Sequence, residues 1–85
     1  MPNANYVKGR RKEYKVMNAA RERGLIALRS AGSHSPIDVV TIDVDQREIR
    51  LIQCKPESMS ENQKQAIREE NNLLNGIFRA KFEVI

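Results

Sequence analysis

Eighty-five residues make one domain, 1–85, close to the smallest size at which a single apolar core holds a fold unaided. Fifteen Lys and Arg stand against eleven Asp and Glu, a net charge of +4, and with Cys54 as the single cysteine an internal disulfide is excluded. No stretch approaches the roughly 20 apolar residues of a membrane span, and no apolar leader opens the chain, so a reduced, intracellular (cytoplasmic) protein is expected. A chain this small is expected to gain further stability by pairing with a second copy.

The charge is unevenly spread. Residues 1–42 hold eight basic side chains against three acids, whereas 43–85 hold seven against eight. The excess gathers in "KGRRKEYK", where Lys8, Arg10, Arg11, Lys12 and Lys15 surround Glu13. Such a cluster is either a solvated helix face or a phosphate-binding patch, since Lys and Arg displace counterions from a polyanion. Tyr6 and Tyr14 beside it could pack on the helix or stack on bases.

In chain order, residues 8–23 read as a helix that Gly24 stops. "LIALRS" (25–30) is a short strand, and "SAGSHSP" (30–36) is a loop by its Gly, Pro and serines. The β-branched "IDVVTID" (37–43) and the alternating "EIRLIQC" (48–54) are strands joined by the tight turn "VDQR", a hairpin. "SENQ" (60–63) has the pattern of a capping box, Ser60 capping and Gln63 reaching back, and opens a helix to about Leu74. "NG" at 75–76 ends it, and "IFRAKFEVI" is expected to close the chain as a strand.

With Val44 opposite Arg47 across the turn, Asp38 lies opposite Gln53, and Lys55 shares a face with Gln53. Asp38, Gln53 and Lys55 would then form a polar cluster on an apolar hairpin. A carboxylate and an amide oxygen suit a hard cation such as Mg²⁺. A neighbouring lysine can orient a water or offset charge on a phosphate. The plainer alternative is an Asp38–Lys55 salt bridge at the sheet's edge. Arg10, Glu13, Met17 and Ala20 share one helical stripe, which turns Glu13 inward, so that it needs a metal, Arg10 or Lys12 as partner.

The order of these features resembles the PD-(D/E)xK nuclease superfamily, and within it the archaeal-type Holliday junction resolvases and their viral relatives. The matching text is "KGRRKEYKV", "RSAGSHSPIDVV" and "IRLIQCK", which covers residues 8 to about 56. The resemblance implies an α/β fold, a small mixed β-sheet flanked by helices with a restriction-endonuclease-like core. It implies a Mg²⁺- or Mn²⁺-dependent endonuclease that cuts branched DNA as a homodimer, encoded by an archaeon or a virus. The metal-binding acids would be Glu13 and Asp38, the catalytic lysine Lys55, and the Cys54 carbonyl a further ligand. Arg10 or Arg11 would be the basic residue ahead of the helical acid. Ser33 would be the loop serine near the scissile phosphate, with Ser30 or Ser35 as alternatives, and Arg29, Ser30 and Ser33 would extend the DNA contacts.

Gln53 departs from the pattern, standing where the family usually has an acid. Its carbonyl oxygen can still bind a metal, but the site loses one negative charge. A weak or inactive DNA-binding module of the same fold is the rival reading, and an interaction subunit whose basic helix binds an acidic protein is a third. His34, in the serine-rich loop, reads as an exposed histidine rather than a catalytic one.

Overall fold

The stretch from Arg10 to Arg23 has neither Gly nor Pro, and it belongs to one long helix, α1 (Ala4–Glu22). In the computed structural model, residues 4–30 and 35–85 are described, with side chains in α1 described from Gly9 onward. Gly24 stops the helix with a φ of 80°. The Leu25 N–H donates to the Ala20 carbonyl at 3.1 Å and the Gly24 N–H to the Arg21 carbonyl at 2.9 Å. This pair of bonds is the Schellman stop, whose left-handed residue is most cheaply a glycine. A Cβ at Gly24 would meet nothing within 4 Å, so its cost is conformational alone. Gly24→Ala is therefore expected to lower the unfolding free energy by about 1 kcal/mol, read from urea denaturation.

Three strands follow: β1 (Ile26–Arg29), β2 (Val39–Asp43) and β3 (Glu48–Ile52). They lie in the order β1-β2-β3, and both pairs are antiparallel. The β2–β3 ladder runs from Val39 opposite Ile52 to Asp43 opposite Glu48, the register expected from the turn. In that turn Asp43 Oδ1 accepts the Gln46 N–H at 3.0 Å, and Arg47 takes a left-handed φ of 54°.

Helix α1 roofs one face of this sheet. Met17 and Ala20 meet Ala27 of β1 and Val39 of β2 in a small buried core, with Val16, Leu25, Ile52 and Cys54 packed around it. Alanines at 20 and 27 leave little side chain between helix and sheet, so the two approach closely. Strand alternation sends Ile26, Leu28, Val40, Ile42, Ile49 and Leu51 to the opposite face. There Ile26, Leu28, Ile49 and Leu51 are exposed.

Helix α2 (Glu61–Glu70) opens with the expected capping box. Ser60 Oγ accepts the Gln63 N–H at 3.2 Å, and Gln63 Oε1 accepts the Ser60 N–H at 3.0 Å. The α-helix ends sooner than expected, and a 3-10 turn, Asn72–Leu74, carries the chain on. None of the residues of α2 is buried, so it stands beside the sheet and does not cap its apolar face.

Two expectations fail. Residues 77–85 form no strand: they lie outside regular structure, with Ile77, Phe78, Phe82, Val84 and Ile85 exposed. Alternating apolar residues do not by themselves make a strand, which needs pairing to a sheet edge, and this segment is not paired to the open edge of β3. Without it the sheet is purely antiparallel, not mixed, and only α1 packs on it. The fold class is therefore a small α/β one with a three-stranded antiparallel sheet and two helices. Among the described residues, no helix is long and apolar enough to cross a membrane.

Candidate active site

The antiparallel order brings the end of β1, the residue ahead of β2 and the residues after β3 to one end of the sheet. Arg29, Asp38 and Gln53–Lys55 therefore meet there, and α1 lays Glu13 and Lys12 over them. Asp38 is fixed on several sides. Its N–H donates to the Ile52 carbonyl at 2.8 Å, its carbonyl accepts the Ser30 N–H at 2.8 Å, and its Oδ2 accepts the Cys54 N–H at 2.8 Å. These bonds clamp the loop mouth against β3 and orient the carboxylate.

The regular ladder stops at Val39–Ile52, one residue short of the Asp38–Gln53 pair. Asp38 reaches the backbone of Cys54, whereas Gln53 and Lys55 line a groove shared with α2. The salt bridge considered for Asp38 and Lys55 is not formed; the ion pairs among the described residues are Arg29–Glu13 and Arg68–Glu61. The Lys55 carbonyl accepts a hydrogen bond from Lys12 Nζ, which ties α1 to the segment after β3.

Glu13 does face inward, but its partner is neither Arg10 nor Lys12. Arg29 Nε donates to Glu13 Oε2 at 2.9 Å, with both side chains more than four-fifths buried, and the Arg29 guanidinium lies 5.0 Å from the centre of the Tyr14 ring. Lys12 is held by the Lys55 carbonyl instead. Two of the expected phosphate contacts, Lys12 and Arg29, are thus engaged within the fold, while Arg10, Arg11 and Lys15 are exposed along α1. The signal for the Arg29–Glu13 pair lay in the inward-facing acid itself, which had to find a cation. The helix alone could not say that the cation would come from β1.

Cys54 reports the local field. Burial pushes its thiol pKa up, the Asp38 and Glu13 carboxylates push it further, and Lys12 pulls it back. All three charged groups therefore act on one spot. Among the described residues no three His, Cys, Asp or Glu side chains are grouped to hold a metal ion. Of the expected oxygen donors, the Asp38 carboxylate accepts the Cys54 N–H, Gln53 lines the groove, and Glu13 is engaged by Arg29. That set is hard and oxygen-rich, and Mg²⁺ commonly takes one or two carboxylates and keeps several waters. No family model, curated protein or solved structure matches the chain. Ser33 and His34, and the side chains of Tyr6 and Lys8, lie outside the described residues.

Proposed function

We propose that this protein is a metal-dependent DNA endonuclease acting on branched DNA, similar to the Holliday junction resolvases of the PD-(D/E)xK superfamily. The observation that carries the reading is the meeting of α1, β2 and β3 at one end of the sheet, which gathers Glu13, Asp38 and Lys12 around Cys54, with Lys55 next along the chain. Exposed Arg10, Arg11 and Lys15 beside it suit a phosphate backbone, and contacts of that kind position a duplex without reading its sequence.

Asp38, Gln53 and the Cys54 carbonyl would hold Mg²⁺ or Mn²⁺, which when bound polarises the phosphodiester and acidifies the attacking water. The Cys54 N–H holds the Asp38 carboxylate in one orientation. Lys55 orients the water or offsets the charge that develops on the phosphate. Arg29 fixes Glu13, which keeps that carboxylate near the site without an unpaired buried charge.

The Arg29–Glu13 pair and Gln53 favour a second reading, a DNA-binding module of the same origin with little or no catalysis. Cleavage of labelled four-way junction, flap and linear duplex DNA, with and without Mg²⁺ or Mn²⁺, separates the two. The endonuclease cuts branched substrates in the presence of metal, and Gln53→Glu lowers the Mg²⁺ concentration needed for half-maximal rate. A wild-type protein that cuts nothing with either metal, and a Gln53→Glu variant that gains nothing, identify the binding module.

A homodimer belongs to the same proposal. The uncovered aliphatic face of the sheet and the exposed apolar residues of 77–85 give each chain surface to hide. Light scattering at micromolar concentration is expected to return twice the chain mass, and a monomer would remove the dimer from the reading.

A further inference from the structure

Between the free edge of β3 and helix α2 runs a groove of about 670 Å³. Among the described residues β3 is an edge strand, and its outward backbone groups have no ladder partner there. Four cations line the groove, Arg50 and Lys55 on the sheet side and Lys64 and Arg68 on α2, against the single acid Glu48. Arg68 also meets Glu61 at 3.3 Å, but both side chains are more than half exposed, and an exposed pair of this kind yields readily to a competing anion. At one end the lining includes Gln53 and Lys55, so the groove is continuous with the candidate active site.

We propose that this groove binds a single-stranded segment of DNA leading away from the site; the inference rests on the nuclease reading and extends it to surface that α1 does not supply. Charge selects the occupant. A polyanion neutralises the groove, and cations spaced along both walls suit a string of phosphates. The chain's own segment 77–85 is the wrong partner, because Arg79 and Lys81 outweigh Glu83 and would bring positive charge into a positive groove. A duplex, whose major groove alone is about 12 Å wide, does not enter a trough bounded by a strand edge and a helix. A single strand does, with its bases turned towards Leu51 and the Gln53 amide and its phosphates towards the walls.

The test is fluorescence anisotropy of the full chain with a labelled short oligothymidylate and with a blunt duplex, over a range of NaCl concentrations. Lys64→Ala combined with Arg68→Ala is expected to weaken oligothymidylate binding about tenfold at low salt. It should also make the salt slope shallower by about 1.4, near 0.7 for each lost phosphate contact on a single strand. Duplex binding stays unchanged. Arg50→Ala, on the opposite wall, gives a loss of the same kind, so that a local failure of α2 to fold cannot imitate the result; circular dichroism checks that helix.

Equal losses on both DNAs, or no loss on either, overturn the proposal. Wild type that binds duplex but not oligothymidylate overturns the groove and leaves the nuclease reading standing. Wild type that binds neither DNA overturns both. A groove that takes a glutamate-rich peptide in preference to oligothymidylate is a protein-docking site, and self-association abolished by the double variant makes it a contact between copies; either result overturns the proposal.

Discussion

Asp38→Asn is expected to reduce cleavage of branched DNA by about a thousandfold while DNA binding persists. The substitution keeps the size of the side chain and an oxygen that can still accept the Cys54 N–H, so the clamp at the mouth of β2 survives. What is lost is a carboxylate that, among the described residues, is in no ion pair, unlike that of Glu13. Removing a single group that stabilises transition-state charge commonly costs 10²–10³ in rate, and loss of the carboxylate proposed to hold the metal stands at the upper end. Lys55→Ala should fall into the same range, because the neighbouring Lys12 is already bonded to the Lys55 carbonyl. Binding should hold or tighten for Asp38→Asn, since a negative charge facing the phosphate is gone. Single-turnover cleavage and a gel-shift titration on the same junction separate the two effects. A variant that keeps full rate would mean that Asp38 serves only to brace the loop.

The second large effect is on affinity. Reversing Arg10 and Arg11 to Glu together should weaken binding to four-way junction and linear duplex alike by about a hundredfold at moderate salt. Each phosphate contact contributes about 0.9 to the slope of log affinity against log salt on duplex DNA, and a reversal adds repulsion to the lost contact. The loss should not depend on sequence, because phosphate contacts carry none of it. Both side chains are exposed and neither belongs to the buried core, so the melting curve should move little. Wild-type affinity that does not change with salt would remove the phosphate-binding role of α1.

The parts of this fold that could be read from the residues are those decided locally. The stop at Gly24, the capping box at Ser60 and the hairpin register each depend on a few neighbours and a fixed geometry, and each is found where the residues put it. The inward stripe of Glu13, Met17 and Ala20 was legible from helical period alone. Partnerships across elements were not. Glu13 required a cation, but Arg10, Lys12 and Arg29 all offered one, and the choice came from how α1 settles on β1. Lys12 looked like one more member of a basic patch until the segment after β3 came within its reach. The closing segment shows the limit from the other side. Its alternation is as clear as that of β3, yet alternation describes how a strand would lie, not whether the chain pairs with an edge.

The chain from Ile52, the last residue of β3, to Lys55 has two sides with different work. Ile52 and Cys54 pack against the core under α1, while Gln53 and Lys55 turn to the groove. Structure and chemistry therefore alternate along four consecutive residues. Deleting one residue within β3, with the hairpin turn held in place, would exchange the two sets. The glutamine and lysine would be driven into an apolar interior, and an isoleucine and a cysteine left facing solvent. Lengthening the turn at Val44–Arg47 disturbs neither set, because the ladder beyond it keeps its phase. Changes of length in this chain thus divide sharply by position: those at the closed end of the hairpin are absorbed, and those between Glu48 and Lys55 remove fold and site together.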